Sequence, residues 1–567
     1  MTGVAARGFG WDLNSAFSRP RGEVFPIGSF GHTGFTGTSL WMDPGSDTYV
    51  VLLANSVHPR GAVPISPLRG EVATDVGKAL GIGGAPTQVS EARPGAPASV
   101  ALQPTHRDDA AMNGAPGIDC SAPNTFCDPT KLPRAVRTGI DVLEADGFAE
   151  LKEMAVRHRG KLRVGLLTNQ TGVDAQGRRT IDVLRGAGAG IELVTLFSPE
   201  HGIFGAKDST EIGQEVDAAS GWKVTSLYGP KDADRRPKAE DLKGLDAVVI
   251  DLQDAGVRFY TYETVLGYFV EAGGCEAARG HEFQVVVLDR PALIGGEAVQ
   301  GPVSDMAASY INYMPEPVRN GMTLGELAEY DAGEHPGACG GEPRAKAPLV
   351  QGDVSVGLKP HANPVTVVPM DGWKRGEFFD ETGVKWVNPS PNLRSMEAAV
   401  LYPGLGMLDA TNVSVGRGTA MPFEVFGAGV TAATKSAAEV PAWFDGKSVA
   451  DYLIARKIPG VTFAATRFAV AETAEKYPYH GQTIEGVRMA VTDRSALDSP
   501  EMGVEILAAL HHLYPAQFKL DKAAALVANS ETMDALQRGD DPHAIAAGWA
   551  PALAAFNARR NKYLLYP

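Results

Sequence analysis

The chain contains few cysteines and lacks any long apolar run. Four cysteines in 567 residues exclude a scaffold held together by many disulfides. Cys120 and Cys127, in the loop DCSAPNTFC, either form a small disulfide or remain unpaired thiols, and their spacing does not match a zinc site. Cys275 and Cys339 have no obvious role. No segment reaches the ~18 consecutive apolar residues that a membrane-spanning helix requires, which excludes a membrane span.

The chain also lacks an excess of positive charge and a recognisable export signal. Its formal net charge of −15 argues against a nucleic acid or an anionic membrane as a partner, because polyanions bind basic surfaces. The first residues, MTGVAARGFGWDLN, contain no apolar segment of the signal-peptide type. No cluster of metal ligands and no nucleotide-binding loop stands out. The sequence therefore predicts neither a metal nor another cofactor, and we expect EDTA to leave the activity intact.

The length of the chain exceeds that of a single core and predicts several domains. Residues 1–70 contain short apolar runs broken by turn residues, which is typical of a β-rich segment. Residues 71–135 are rich in Ala, Pro and Gly and predict a flexible linker. Residues 136–375 alternate strands with helices. Residues 376–567 mix loops, short strands and helices, which predicts a smaller α+β domain.

The strands expected in the third of these segments are apolar throughout. They are LRVGLLT (162–168), IELVTLF (191–197), KVTSLYG (223–229), DAVVIDLQ (246–253), QVVVLDRP (284–291) and VTVVPM (365–370). Helices are expected at 178–187, 261–280 and 323–334. Strands that are apolar on both faces and separated by helices predict a parallel sheet covered on both sides. The predicted fold class is α/β, with a Rossmann-like doubly wound parallel sheet followed by the α+β domain.

Polar residues follow most of these strands, at the sheet edge where open parallel sheets bind ligands. They are Asn169, Gln170, Ser198, Glu200, His201, Asp251, Gln253, Asp254, Arg258, Tyr260, Tyr262, Asp289 and Arg290. Amides, carboxylates, an arginine and tyrosines together are typical of a sugar pocket. The structural alternative is that they cap helices or form loop ion pairs, and for Asn169 the two interpretations have equal weight.

Glu200 is the strongest single candidate. It follows an apolar strand in SPEHGIFG, where Pro199 restricts the backbone and Gly202 permits a tight turn. Contact with the strand end and with Phe197 or Phe204 would raise the pKa of its carboxyl group, as a general acid requires. We therefore predict a catalytic role for Glu200 rather than a structural one.

Two stiff polar loops in the last 200 residues predict a second wall of the pocket. WVNPSPNLRS (386–395) and TNVSVGRGTAMPFEVFGAG (411–429) carry the candidates, which are Asn388, Ser390, Asn392, Arg394, Asn412, Arg417 and Glu424. Glu424 is a candidate second carboxylate opposite Glu200. The alternative is that both loops are ordinary surface turns.

A series of motifs, in order, resembles one known family. The motifs are TNQTGVD, LFSPEHGIFG, SLYGP, DLQDAGVRFYTYET, LDRP, RNGMTLGELAE, MDGWKR, WVNPSPN, YPGLGMLDATNVSVGRGTAMPFEVFGA and RNKYLLYP. From about residue 136 to the end, the chain resembles the exo-β-N-acetylmuramidases of glycoside hydrolase family 171. Asp409 and Val415 are slight departures from the family pattern.

The resemblance implies an enzyme of cell-wall turnover that releases β-1,4-linked N-acetylmuramic acid from the non-reducing ends of peptidoglycan fragments. It implies a Rossmann-like domain and a smaller C-terminal domain with the active site between them. Muropeptides or disaccharides derived from peptidoglycan would be its partners. The resemblance favours a location outside the cell or in the periplasm, and the cytoplasm stays the alternative because no signal peptide is visible. The glutamate of SPEHG is the family's proposed catalytic residue, and here it is Glu200.

Glycoside cleavage needs an acid at the leaving oxygen and a second group that assists water or stabilises the positive charge at C1. Glu200 is the expected acid. The candidates for the second group are His201, Asp251, Asp254 and Glu424. Arg258, Tyr260 and Tyr262 are expected to position the N-acetyl and lactyl groups, and Arg258 or Arg417 to bind the lactyl carboxylate.

Residues 1–60 resemble something else, the C-terminal end of a serine β-lactamase-like hydrolase. In GHTGFTGTSLW, His32-Thr33-Gly34 stands where that family carries a Lys-Thr-Gly triplet. The family's Ser-x-x-Lys nucleophile belongs upstream, and the one formal match, Ser220 to Lys223, lies in the other domain. We therefore expect this segment to be inert alone. The alternatives are that the chain is a truncated form of a longer two-enzyme protein, which we favour because half a sheet would leave strand edges unpaired, or that a remnant strand pair persists.

Two rival functions remain at this stage. The first is a serine hydrolase, which a fluorophosphonate or penicillin probe would label. The second is a muropeptide-binding module that keeps the pocket without the chemistry, and it would bind N-acetylmuramic acid without turnover.

Overall fold

A computed structural model describes two compact units, within residues 1–117 and 118–567. The described residues of the first are 6–8, 11–14, 21, 24–25, 29–33, 38–43, 48–52 and 66–79. Those of the second are 135–207, 215–217, 219–334, 364–430 and 443–567. Cys120, Cys127 and Cys339 lie outside these residues.

The first unit contains an antiparallel sheet of five strands in chain order. The strands are β1 (Ala6–Gly8), β2 (Trp11–Asn14), β3 (Phe30–Thr33), β4 (Ser39–Asp43) and β5 (Thr48–Leu52), and they are followed by helix α1 (Ser66–Ala79). Phe25, Trp41 and Ala73 form its small core. The β-rich prediction is confirmed, but α1 was not expected, and the predicted linker begins inside it. His32 and Thr33 lie on β3, and Gly34 lies outside the described residues.

The second unit begins with the alternating elements. Its helices up to residue 334 are α2 (Gly139–Ala145), α3 (Ala149–Arg157), α4 (Thr180–Arg185), α5 (Asp232–Arg235), α6 (Ala239–Leu242), α7 (Tyr262–Ala278) and α8 (Leu324–Glu334). Its strands up to residue 368 are β6 (Leu162–Thr168), β7 (Ile191–Ser198), β8 (Glu215–Asp217), β9 (Trp222–Ser226), β10 (Ala247–Asp251), β11 (Gln284–Leu288), β12 (Gln300–Val303), β13 (Pro317–Arg319) and β14 (Val365–Val368). The six strands and three helices predicted for this segment are confirmed, with ends shifted by a few residues.

Seven of these strands form one sheet in the order β14-β11-β10-β6-β7-β9-β8. All neighbouring pairs are parallel except β8 with β9. Alternate residues of β10 enter two different cores. Val248 and Ile250 pack with α7 and α8 on one face, and Ala247 and Val249 pack with α2, α3 and α4 on the other. Because both faces are covered, the strands need apolar residues at every position, which is the pattern that the sequence shows. The α/β class is confirmed.

The last part of the chain packs against the first of these cores. It comprises α9 (Met396–Leu405), β15 (Val425–Ala428), α10 (Gly446–Arg456), β16 (Val461–Ala469), β17 (Thr483–Val491), α11 (Ser499–Leu513), α12 (Ala524–Val527), α13 (Ser530–Arg538), α14 (Pro542–Ala547) and α15 (Ala550–Arg560). β15, β17 and β16 form an antiparallel sheet. Val425 and Val487 of this sheet and Val265 of α7 belong to one continuous core, so the two parts meet through buried apolar surface.

Asp289, which follows β11, attaches the C-terminal tail. The carboxylate of Asp289 accepts hydrogen bonds from Thr323 Oγ1 at 2.6 Å and from the hydroxyl of Tyr566 at 2.6 Å. Burial raises the pKa of Asp289 to about 6. Within the described residues, no helix is long and apolar enough to cross a membrane.

Candidate active site

A pocket of about 170 Å³ opens beyond the carboxyl ends of β7 and β10. Its first wall comes from the α/β part and consists of Glu200, His201, Phe259, Tyr260, Thr261, Tyr262 and Ile311. Its second wall comes from the last 180 residues and consists of Ser390, Leu393, Tyr402, Gly406, Asp409, Arg417, Phe423 and Leu526. Both the strand ends and the two stiff loops therefore contribute to it.

The backbone of the turn that carries Glu200 is held in one conformation. His201 and Gly202 both have left-handed backbones, with φ values of 74° and 75°. The amide of Gly202 donates to the Pro199 carbonyl at 3.1 Å, and the amide of Ile203 donates to Glu215 Oε2 at 2.9 Å. A Cβ atom at position 202 would lie 2.5 Å from the carboxylate of Glu215, so only glycine fits there. The expected tight turn at Gly202 is confirmed.

Hydroxyl groups surround the half-buried carboxylate of Glu200. Thr261 Oγ1 donates to Glu200 Oε2 at 2.7 Å, and the Tyr228 hydroxyl is also hydrogen-bonded to the carboxylate. Burial and the negative charge of Glu200 raise the pKa of Tyr228 well above its ordinary value. The phenol therefore stays protonated at neutral pH and remains a donor.

Three further tyrosines lie close enough to respond to this charge. The pKa values of Tyr262, Tyr310 and Tyr402 are raised, mainly by burial and further by the charge of Glu200. Phenylalanine does not supply this environment as the sequence suggested. Phe197 is fully buried against Phe269 at a ring distance of 5.3 Å, and Phe204 is 51% exposed.

The pocket contains a second carboxylate, Asp409, which sequence reasoning did not select. Its Oδ2 accepts from Arg417 Nη1 at 2.9 Å. Arg417 also lies over the rings of Tyr477 and Phe423, at 5.4 and 5.7 Å from their centroids. A lone aspartate after a helix carries no signal of its own, because caps and surface turns use the same residue.

His201 lines the pocket as predicted and is 8% exposed. Its Nδ1 lies 2.8 Å from the carbonyl oxygen of Lys207. A carbonyl only accepts, so this contact places the hydrogen of the neutral ring on Nδ1 and leaves Nε2 as a base.

The structure places the other three candidates for the second catalytic group outside the pocket lining. Asp251 is fully buried and accepts from Arg290 Nε at 2.5 Å and Nη2 at 3.0 Å. Asp254 is buried, accepts from the Gly256 amide at 2.6 Å, and has its pKa raised to about 7 by desolvation. Glu424 accepts from Ser395 Oγ at 2.7 Å, at the start of α9. Each has a structural partner and none lines this pocket. The catalytic role expected for Asp251 and Asp254 from the strand ends, and for Glu424 from the loop at 411–429, therefore gains no support from the pocket and stays a prediction.

Arg258 is also corrected, because it is a core residue and not part of a substrate wall. Its side chain is fully buried. Nη1 donates to the carbonyls of Pro302 at 3.0 Å and Glu316 at 2.9 Å, and Nη2 donates to those of Leu526 and Val527, both at 2.8 Å. A guanidinium that binds four carbonyls joins three chain segments and has no face left for a ligand.

Asn169 and Gln170 position the loop of the second wall through hydrogen bonds. Asn169 Nδ2 donates to the Tyr262 hydroxyl at 2.8 Å, and that hydroxyl donates to the Pro389 carbonyl at 3.1 Å. Gln170 Nε2 donates to the carbonyl of Asn388 at 2.8 Å. Neither residue lines the pocket, so both position the loop that does.

Of the loop candidates, Ser390 and Arg417 line the pocket and the asparagines do not. Asn388 Oδ1 accepts from Trp386 Nε1 at 2.7 Å, and Asn392 Nδ2 donates to the Tyr477 hydroxyl at 3.0 Å. Asn412 Nδ2 donates to the Gln517 carbonyl at 3.0 Å. In the described part of the chain, no group of three or more His, Cys, Asp or Glu residues is placed to hold a metal ion.

Comparison with known proteins identifies the family of the chain. Residues 164–397 match the family model for the N-terminal part of exo-β-N-acetylmuramidase NamZ, and residues 400–566 match the model for its C-terminal part. Residues 2–74 match the β-lactamase family model. The peptidoglycan β-N-acetylmuramidase NamZ of Bacillus subtilis is 33% identical over 451 residues, which cover 79% of this chain and 95% of that protein.

Two crystal structures of DUF1343 family proteins from Bacteroides fragilis are also similar. They share 27% and 25% identity with TM-scores of 0.61 and 0.54, and each alignment covers 76% of this chain and 99% of the other. The two family models together span nearly all of the second unit, including Glu200 and the loops opposite it. The chain belongs to the exo-β-N-acetylmuramidase NamZ family.

Proposed function

We propose that the pocket around Glu200 is the active site at which this chain releases N-acetylmuramic acid from the non-reducing ends of peptidoglycan fragments. The observation that carries this proposal is the locked Glu200 carboxyl in a pocket whose walls come from both matched parts of the family. Family membership supports the substrate class.

In this mechanism Glu200 transfers its proton to the glycosidic oxygen as the bond from that oxygen to C1 breaks. Water then supplies a hydroxyl group to C1, and its second proton passes to a base. His201, through Nε2, and Asp409 are the two pocket groups suited to this role, and either can also stabilise the positive charge at C1. The spacing of the two reacting groups then determines whether the product retains or inverts its configuration.

The hydroxyl groups of Thr261 and Tyr228 fix the orientation of the Glu200 carboxyl. Because a catalytic acid must be held close to its productive position, these two residues are positioning residues of the site. Tyr260, Tyr262 and Ser390 face the same space and are placed to contact the sugar and its N-acetyl group.

We also infer a doubly wound, Rossmann-like sheet in residues 136–375 and a C-terminal α+β domain in residues 376–567 that packs on the same core. In the sheet, the chain leads from β6 outward to β7 and later returns to β10 on the other side of β6. This reversal supports the doubly wound description and places the pocket near the switch point, where such sheets bind ligands.

We propose that the protein works outside the cytoplasm, extracellularly or in the periplasm. Peptidoglycan fragments are the substrate named for the relative from Bacillus subtilis. Cys275 is disulfide-bonded, and stable disulfides are typical of oxidising compartments.

The test is the release of a chromogenic leaving group from an aryl β-N-acetylmuramide. The protein should release it, and Glu200→Gln should lower kcat by at least ~100-fold, because general acid catalysis contributes about 10²–10⁴-fold. Glu192→Gln is the matched control, since Glu192 lies at the opposite end of the same strand and pairs with Lys161 at 2.9 Å. Full activity in Glu200→Gln, or no release by the unaltered protein, would refute the proposal.

A further inference from the structure

We propose that Arg235 binds the carboxylate that distinguishes N-acetylmuramic acid from N-acetylglucosamine. This assignment rests on the proposed function, because it concerns the D-lactyl group on the sugar that the Glu200 site releases. Sequence reasoning assigned the lactyl carboxylate to Arg258 or Arg417 and did not consider Arg235.

Arg235, the last residue of α5, does not itself line the pocket, but it is held in a fixed orientation over Tyr310, whose chain neighbour Ile311 does. Its Nε donates to the Gly229 carbonyl at 2.7 Å. The guanidinium carbon lies 4.1 Å from the ring centroid of Tyr310 and 5.6 Å from that of Tyr228. Nε is thus occupied by protein, while Nη1 and Nη2 carry the donors that a planar guanidinium offers to a carboxylate as a bidentate pair.

Tyr228 connects Arg235 to the reacting group. The guanidinium lies over the Tyr228 ring, and the hydroxyl of the same ring is hydrogen-bonded to Glu200. Arg235 and Glu200 therefore both interact with one side chain, that of Tyr228. In the substrate, the glycosidic oxygen on C1 and the lactyl ether on C3 are carried by one sugar ring, so the groups that bind them must also lie near each other.

The charge of Arg235 is not balanced by an ion pair in the described part of the chain, whereas its neighbours are neutralised. Arg236 pairs with Asp232 at 2.7 Å and with Glu271 at 2.5 Å. Arg417 pairs with Asp409 at 2.9 Å. A substrate carboxylate at Arg417 would have to share that cation with Asp409, while at Arg235 it would meet a cation that forms no ion pair with a described residue and interacts only electrostatically with Asp232. The half-buried position of Arg235 also limits competition from water.

The test compares two aryl β-N-acetylmuramides that differ only in the lactyl group, one with the free acid and one with its methyl ester. Arg235→Gln should lower kcat/KM for the free acid by ~10- to 100-fold, the range expected for hydrogen bonds to a charged group, and change the ester rate less than threefold. Arg235→Lys keeps the charge without the fork, so it should show a smaller loss on the acid. If Arg235→Gln does not fold, the comparison of acid and ester with Arg235→Lys provides the test.

Arg185→Gln is the matched control, because Arg185 is an exposed arginine that lies over Trp222 at 5.6 Å, and its acid-to-ester ratio should equal that of the unaltered protein. An equal loss on acid and ester in both Arg235 variants, or no loss on either, would overturn the assignment. It would also be overturned if Arg417→Gln, and not Arg235→Gln, abolished the preference for the acid. Failure of the unaltered protein to cleave either substrate would instead count against the proposed function.

Discussion

Replacing Arg258 tests whether this residue stabilises the fold or binds the substrate. In the structure its guanidinium binds four backbone carbonyls from the segments that end β12, precede β13 and contain α12. Burial lowers its pKa to about 10, and the nearby carboxyl groups of Glu316 and Glu263 favour its charge. It remains a cation at neutral pH and is completely enclosed.

Arg258→Met removes this cation and leaves the four carbonyls without their donor. Removing one partner of a buried charged network costs about 3–5 kcal/mol, a large part of the ~5–15 kcal/mol by which domains are stable. Because four hydrogen bonds are lost together, we expect a loss of unfolding free energy in the upper part of the ~3–5 kcal/mol range. Urea unfolding followed by circular dichroism should show a correspondingly lower midpoint, and KM for the aryl muramide, measured well below that midpoint, should stay unchanged.

Arg417→Met serves as the comparison. Arg417 and its partner Asp409 are roughly a quarter exposed, and such a pair contributes only about 0–1 kcal/mol to stability. Its loss should change turnover and leave the unfolding midpoint nearly unaltered. If Arg258→Met instead kept its stability within ~1 kcal/mol and raised KM, the carbonyl-binding role would be refuted and the sequence-based role restored.

Two further predictions concern carboxyl groups. Burial raises the pKa of Glu316 from 4.5 to about 7, so the folded state binds more protons than the unfolded state above pH 4.5, and stability should fall as the pH rises from about 4.5 to 7. Glu316→Gln should flatten this slope in urea unfolding at pH 5, 6 and 7, and an unchanged slope would contradict the assignment. Asp409→Asn should lower kcat for the aryl muramide by at least ~100-fold if Asp409 is the second catalytic group, whereas Glu424→Gln should change kcat little. The reverse order would return Glu424 to the site.

The strands of the large sheet could be predicted closely because their sequence pattern has one physical cause. A parallel strand covered on both faces must be apolar at every position, and LRVGLLT and IELVTLF coincide with β6 and β7 to within one residue. Helix α1 was missed because SPLRGEVATDVGKA is rich in small and polar residues and precedes a Pro-rich stretch. Its composition resembles that of the linker that follows.

The site was predicted less completely, because sequence position shows where a chain leaves a strand and not which way a side chain points. Glu200 and His201 were found since their turn has its own signal, a proline before and a glycine after. Asp251 and Asp254 lie at and just after the end of another strand of the sheet, β10, and looked equivalent, but their carboxylates accept from Arg290 and from a backbone amide. Tyr228 and Asp409 were missed because only the folded structure brings them close to Glu200 and its pocket, from parts of the chain that are distant in sequence.

The contrast between Arg258 and Arg235 shows how the fold assigns roles to chemically identical residues. Arg258 lies in the family-like motif DLQDAGVRFYTYET, yet its donors are consumed by carbonyls that join the two halves of the core. Arg235 ends a four-residue helix outside the most distinctive motifs, and two aromatic rings hold it beside the phenol that contacts Glu200. A fully buried cation whose two terminal nitrogens both bind backbone carbonyls stabilises the fold, whereas a half-buried cation without an ion pair is available for an anionic ligand. Burial and the state of the donors therefore decide which arginine recognises the substrate, and the acid and ester substrates measure that difference directly.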